Sequence, residues 1–463
     1  MVESKSYMMK ESNRTRFVCL LLIWGLLDLL SAMFSEIHAD EAYYRLYGQF
    51  LDWGYFDHPP MVALMTALSN LLVSGSSLIA KNLGVRIVTV LLHLATVSVV
   101  WLTLPDEYRK EHNAPLIFML IAASMVMFSA YGFITAPDSP LLFFAALFYF
   151  SYRKYLDKPS WQYALLFGLS IAGMIYSKYM GVLVVGIVIL SNIRLLADKR
   201  IWAVLLMALL LVMPHLWWQY ANGFPSVTYH TVGRATQYSI LYTLEYLPNQ
   251  LVVFNPLLWV LMMWIGFRQL RAEDAFRRSL GWTIWGFQLF FLVMTVRGHV
   301  EPHWTMVASV PAVLLVAEQW MASPDFSPFR FKWVRVTQYV MFGLVIVARI
   351  VLMLNVLPVR TGLAGKQPEY AAINEMAQGL PVVFDGSFQR TSLYRFYYND
   401  SAVLVPVHPR DRYTQYDLLR LEKELIGKPA CIIRFDGKGK NMTVNGYCFP
   451  VRFTNCLTYD ELE

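Results

Sequence analysis

Acids, histidines and tyrosines crowd into one short stretch of this chain. His38-Ala39-Asp40-Glu41-Ala42-Tyr43-Tyr44 is followed closely by Tyr55-Phe56-Asp57-His58-Pro59-Pro60. A carboxylate at hydrogen-bond distance from a hydroxyl can draw off its proton and make it a competent nucleophile. Asp40 is the candidate for that role. A helix starting near Asp40 places Asp40, Tyr43, Tyr44 and Tyr47 on one face by their i, i+3, i+4 and i+7 spacing. The same residue also suits an N-cap with tyrosines at a membrane interface. Glu41 falls elsewhere on that helix, as a structural partner or a substrate contact. Pro59 forces His58 into extended backbone and Pro60 does the same to Pro59. The result is a stiff turn that holds Asp57 and His58, either as an interfacial corner or against a substrate. Asp138, in Thr135-Ala-Pro-Asp-Ser-Pro140, is a turn former or a second acid in the same cavity.

Cations stand opposite these acids. Lys178 (in Ser177-Lys-Tyr179), Arg234 (in Tyr229-His-Thr-Val-Gly-Arg234) and Arg297 (in Val296-Arg-Gly-His-Val-Glu-Pro-His303) occur singly, with His230, His299 and His303 beside them. Fixed positive donors of this kind suit a phosphate leaving group. Asp57, His58, His230, Glu301 and His303 could also ligate a divalent metal, which is the candidate cofactor. None of them has the short fixed spacing of a metal motif. There is no Walker A sequence, no GxGxxG and no HExxH, so direct use of a nucleotide is not expected.

The elements that carry these residues are membrane helices. The chain has 463 residues, 57% of them hydrophobic and 15% charged, against about 25% charged in a soluble domain. Apolar runs at Phe17–Phe34, Arg86–Leu104, Pro115–Ile134, Pro140–Ser151, Trp161–Ser177, Val182–Ile193, Ile201–Trp218, Leu251–Phe267, Leu280–Val296, Trp304–Trp320 and Thr337–Leu357 imply about eleven transmembrane helices. Met61–Val73 is too short to cross and reads as an interfacial helix in the first outer loop, residues 35–80. With the amino terminus in the cytoplasm, basic residues favour the cytoplasmic segments roughly threefold, as the positive-inside rule requires. The net charge of +7 is thus topology and not a nucleic-acid patch. The first span, after a polar lead, suits a signal anchor. Arg349 lies inside the last span, where a charge marks a functional site by default, its partner a lipid phosphate or an acidic side chain.

An odd number of spans puts residues 358–463 outside the membrane, apart from the membrane domain of residues 1–357. Short β-rich runs at Pro381–Asp385, Ala402–Pro406 and Pro429–Phe435, with a helical pattern at Tyr416–Leu425, indicate a small extracytoplasmic α/β domain. An oxidising compartment permits one disulfide among Cys431, Cys448 and Cys456.

Taken in order, Asp40-Glu-Ala-Tyr-Tyr44, Gly54-Tyr-Phe-Asp-His-Pro-Pro60, Thr135-Ala-Pro-Asp-Ser-Pro-Leu141, Ser177-Lys-Tyr179 and Arg297-Gly-His-Val-Glu-Pro-His-Trp304 resemble a bacterial glycosyltransferase of the GT-C fold. More narrowly, the chain is similar to the family 39/83 group, which includes protein O-mannosyltransferases and the lipid A aminoarabinose transferase. The resemblance covers roughly Phe17 to Trp320. It implies transfer of a sugar from a polyprenyl-phosphate carrier, at the outer face of the inner membrane, to lipid A, another glycolipid, a glycan or a protein. It implies that Asp40 is the base, that Asp138 is a second acid near the sugar, and that Lys178 and Arg234 face the phosphate, with Arg297 and His58 as further stabilisers. Glu41, Tyr44, Tyr55, Asp57 and His303 are the expected substrate contacts. His58 stands where the aminoarabinose transferase has lysine, so membership in the wider group is the firmer implication. A single displacement at the anomeric carbon would invert it. Two other classes stay open from the residues: a transporter or flippase of a lipid-linked or anionic substrate, and a membrane-anchored binding protein.

Overall fold

The computed structural model describes residues 2–233, 237–322, 328–355, 367–385, 387–404, 413–425, 429–434, 441–444, 447–450 and 452–458. Long apolar segments fold as helices because no water is available in a bilayer core to satisfy backbone N–H and C=O groups. Among the described residues, five helical segments are long and apolar enough to cross a membrane: Glu11–Phe34, Leu78–Thr103, Lys199–Ala221, Pro302–Ala322 and Lys332–Leu354. A sixth is the pair Ile240–Phe254 and Pro256–Gln269, bent by 99°. The protein is a multi-pass membrane protein.

The remaining expected spans are helical but shorter, interrupted or partly polar. The run at 115–134 becomes Ala114–Ser124, then a non-helical Met125, then Val126–Ala130. The run at 251–267 breaks at Asn255, whose φ is +69°. Pro256 disfavours helical backbone in the residue before it, and Asn255 instead caps the next helix through the N–H of Leu258 at 2.8 Å. The expected start of the second span at Arg86 is corrected: that helix begins at Leu78, capped by Ser77. Arg86 therefore sits inside a helix, fully buried, and not at a membrane face.

Helix α1 (Val2–Phe34) leads into two helices of the first loop, α2 (Ala39–Gln49) and α3 (Met61–Leu72), and then α4 (Leu78–Thr103). Residues 367–458 hold a four-stranded sheet in the order β2-β1-β3-β6: Val403–Leu404, Val382–Asp385, Pro429–Arg434 and Arg452–Thr458. The first three strands run parallel and β6 is antiparallel to β3. A hairpin of β4 (Asn441–Val444) and β5 (Tyr447–Pro450) stands apart from it. Cys431 is buried in β3, and the side chains of Cys448 and Cys456 lie outside the described residues.

These carboxyl-terminal elements share a core with α2. Tyr43 and Tyr47 of α2 join Tyr370, Phe384, Tyr394 and Tyr416 in one apolar cluster. Polar contacts pin the same interface. Arg45 forks onto Asp400 at 2.5 and 2.8 Å, Arg395 donates to Gln49 at 3.2 Å, and the Phe56 N–H donates to Gln415 at 2.9 Å.

Arg349 proves to have an acidic side-chain partner. Its guanidinium reaches Asp28 on α1 at 2.6 Å, and the other Asp28 oxygen meets His93 Nδ1 of α4 at 2.7 Å. It also donates to the Ser129 hydroxyl and carbonyl and lies over the Trp24 and Phe133 rings, 4.7 and 4.8 Å from their centroids. Removing one partner of a buried pair strands the other charge, at about 3–5 kcal/mol. Arg349→Met should therefore lower the thermal midpoint of the purified protein sharply, and Arg349→Met with Asp28→Leu should recover part of the loss. An unchanged midpoint for the single variant would refute this structural role.

Candidate functional site

A cavity of about 800 Å³ opens where the first loop, the helix ends and the carboxyl-terminal domain meet. Its volume falls within the roughly 300–1,000 Å³ typical of small-molecule sites.

The sequence explains how α2 delivers Asp40 to it. His38, not Asp40, is the N-cap: its Nδ1 accepts the Asp40 N–H at 3.2 Å. Glu41 at N3 accepts the His38 N–H at 3.0 Å, which closes a capping box. Asp40 then occupies the second helical position, with its side chain 42% exposed. Gln389 donates to its Oδ1 at 2.9 Å.

Glu41 is the buried member of the pair. It takes Arg86 Nε at 2.8 Å on Oε1 and Arg86 Nη2 at 2.6 Å on Oε2. The Thr135 N–H also donates to Oε1 at 2.8 Å. Four donors fill the directions a carboxylate offers, so Glu41 has no capacity left for a substrate. This corrects its place among the substrate contacts and leaves the structural alternative. It joins α2, α4 and the turn before Asp138.

Asp138 starts the helix Asp138–Asp157, where the dipole favours an anion. Lys178, at the C-cap of Trp161–Ser177, donates to both of its oxygens, at 2.9 and 2.8 Å. Both groups are buried. The ammonium has three N–H donors, so one remains for a ligand. His303 Nε2 lies 3.8 Å from the same carboxylate.

A second polar wall is built from the stiff Pro turn. Tyr47 donates to Asp57 Oδ1 at 2.5 Å, and His230 Nε2 donates to the Asp57 carbonyl at 3.0 Å. Tyr44 meets His58 Nε2 at 3.2 Å. Burial lowers the His58 pKa to about 4, against the pull of Asp57. Burial and the nearby acids raise that of Tyr44. Tyr44 therefore keeps its proton and donates it, and His58 is a neutral imidazole near pH 7. This corrects its expected part as a positive group at a phosphate: it supplies a hydrogen-bonding edge and no charge.

Arg297 lines the opposite rim and donates to the Thr231 carbonyl at 3.3 Å. Among the described residues no acidic side chain pairs with it. Arg234 lies outside the described residues.

The fold has solved counterparts. Overlaid on ArnT from Cupriavidus metallidurans in the apo state, the chain gives a TM-score of 0.62 at 15% identity, covering 95% of this chain and 98% of that one. The same protein bound to undecaprenyl phosphate gives 0.61 at 16%, covering 94% and 97%. The family model described as dolichyl-phosphate-mannose-protein mannosyltransferase matches residues 57–218. A curated relative, lipid A galacturonosyltransferase RgtD of Rhizobium johnstonii, is 27% identical over 299 residues, which span 61% of this chain and 60% of RgtD. The chain has the fold of ArnT and is similar to glycosyltransferases of the GT-C type.

Within the cavity the structure gathers nearly every residue singled out from the sequence. Asp40, Glu41, Tyr44, Asp57, His58, Asp138, Lys178, His230, Arg297, Glu301 and His303 all line it. Tyr55 does not. Its ring stacks on Tyr47 at 4.3 Å, and its hydroxyl donates to the Tyr47 and Phe50 carbonyls behind the cavity wall. Tyr55 is expected at the substrate with its neighbour Asp57, but the loop closes with the Tyr55 N–H on the His58 carbonyl at 3.1 Å and turns the tyrosine inward.

The expected metal ligands do not form a set. Among the described residues no three His, Cys, Asp or Glu side chains are grouped to hold a metal ion. His230 Nε2 is committed as a donor to a carbonyl, and Glu301 lies 3.7 Å from His299. Among the described residues these side chains do not fit the candidate divalent metal.

Sequence reasoning missed Arg86, Tyr131, Tyr179 and Gln389. Tyr131, which lies edge-on to His303 with centroids 6.0 Å apart, and Tyr179 could have been found as aromatics beside Asp138 and Lys178. Gln389 carried no signal, because nothing in the sequence of its helix marks which residue reaches the cavity.

Proposed function

We propose that the chain is an inverting transferase that moves a sugar from a polyprenyl-phosphate carrier to a hydroxyl of a glycolipid, with lipid A as the leading acceptor. The carrying observation is the division of labour in one cavity. It combines a half-exposed carboxylate with an open oxygen at Asp40, a buried ammonium with one spare N–H at Lys178, and an arginine without an acidic partner among the described residues at Arg297. The solved relative bound to undecaprenyl phosphate supports the donor class, and the relative that acts on lipid A supports the acceptor.

In this reading the acceptor oxygen attacks the anomeric carbon while Asp40 takes its proton. The bond between that carbon and the phosphate oxygen breaks, and polyprenyl phosphate leaves with the electron pair. Lys178 and Arg297 meet the charge, with Arg234 as a further proposed donor. Asp138 holds Lys178 in place and His303 borders the same pair. Tyr44, Asp57 and His58 contact the substrate. Fixed donors of this type act where water is excluded and charge develops. The chain sits in the inner membrane with its amino terminus in the cytoplasm, and residues 358–463 form the extracytoplasmic domain beside the site.

The test is reconstitution of the purified protein in liposomes with lipid A and undecaprenyl phosphate carrying either galacturonic acid or aminoarabinose. Product mass identifies the sugar moved. Movement of the intact donor across the bilayer, with no new glycosidic bond from either donor, would overturn the proposal in favour of a transporter.

A further inference from the structure

The carboxyl-terminal domain reaches into the site through one side chain. Gln389 is the second residue of the ten-residue helix Phe388–Tyr397, capped by Ser387. Its amide donates to Asp40 Oδ1 at 2.9 Å across 349 positions of sequence. Both it and Phe388 line the cavity.

The surroundings make that contact a determined one. The nearest histidine, His38, lies 3.7 Å from Asp40 Oδ2. Its Nδ1, however, already accepts the Asp40 N–H, so that nitrogen has no proton for the carboxylate. A flipped amide would set the Gln389 oxygen against the Asp40 carboxylate, which the charges forbid. The two helices that carry the pair are also clamped together. The Phe388 ring lies 4.6 Å from Tyr43, Arg395 bonds Gln49 near the end of α2, and Arg45 bonds Asp400 just beyond the other helix. One carboxylate oxygen is thereby anchored, on a side chain that lines the cavity and is 42% exposed. A neutral amide does this without neutralising the base, which a lysine would do.

We propose that Gln389 is a positioning residue that orients the Asp40 carboxylate, so that the carboxyl-terminal domain completes the active site. The function of Asp40 rests on the transferase reading above, but the coupling between the two side chains does not. Tyr44 of α2, Tyr131 and His303 are the titratable groups that also interact electrostatically with Asp40, and they are unchanged in the variants below.

The experiment uses the full-length protein in detergent. Carbodiimide with an amine nucleophile labels protonated carboxyl groups, and peptide mass spectrometry follows Asp40 across a pH series. Gln389→Ala removes a donor to the ionised form, and Gln389→Glu adds a like charge. The pH of half-labelling should rise in both, by about one unit or more in Gln389→Glu. Turnover should fall by about tenfold to a hundredfold in each. A merely structural role would lower turnover without moving the labelling curve. Gln389→Ala leaves no new charge at the interface, so it carries the test if Gln389→Glu does not fold. Labelling curves that match the wild type in folded variants overturn the inference whatever the turnover. A shifted curve in a protein that transfers no sugar would instead remove the transferase reading and leave the coupling in place.

Discussion

Asp40→Asn is expected to lower sugar transfer by about 10²–10⁴-fold, the usual contribution of a general base. Asparagine keeps the shape of aspartate and can still accept the Gln389 amide on its oxygen, but it has no basic lone pair for the acceptor proton. Because the Asp40 side chain is 42% exposed, removing its charge strands no buried partner, so the thermal midpoint should stay near that of the wild type. Asp138→Asn provides the contrast. It leaves Lys178 buried against a neutral amide, so activity and stability should fall together. The initial rate of glycolipid product formation, measured beside thermal unfolding, separates the two acids. Turnover of Asp40→Asn within a few-fold of the wild type would remove Asp40 as the base.

The difference between these two acids shows where sequence reasoning stops. Types and order were legible. Acids in the first loop and at residue 138, and single cations at residues 178 and 297, are expected together from the apolar runs and loop charge, and they line one cavity. Pairing was not legible. That Lys178 spends two of its donors on Asp138, and that Asp28, His93 and Arg349 make one network from three helices, depends on how helices face each other, which spacing within one helix does not encode. Boundaries failed for a similar reason. Arg86 reads as the polar start of an apolar run, yet Ser77 caps the helix nine residues earlier and carries the arginine into the interior. Strands β1, β2 and β3 were visible as apolar runs between Gly and Pro, whereas β4, β5 and β6 were not read from the sequence. Its contact with Asp40 was not, because a surface glutamine looks the same in sequence whether it meets water or a catalytic carboxylate.

Arg86 is also where the second large effect is expected. Its guanidinium is fully buried and donates to Glu41, to the Ser35 hydroxyl, and to the carbonyls of Ala32, Ser35 and Glu36. Arg86→Met leaves the Glu41 carboxylate in the interior without a counter-charge and frees three carbonyls, a loss of about 3–5 kcal/mol. Glu41→Gln is milder: an amide oxygen at the Oε1 position can still accept from Arg86 Nε and the Thr135 N–H, but the amide nitrogen then faces Arg86 Nη2 and the His38 N–H, both donors. Arg86→Met combined with Glu41→Leu removes both charges and should be more stable than Arg86→Met alone, since an apolar replacement of a buried pair is often neutral. Activity should not recover with stability. Glu41 closes the capping box that sets the first turn of α2, and through the Thr135 N–H it fixes the turn that delivers Asp138. Both acids of the site therefore hang on this one ion pair. Thermal unfolding and initial transfer rates on the three variants decide the matter. A double variant that regains stability and full turnover would show that the pair serves the fold alone, and that Asp40 and Asp138 are positioned by other contacts.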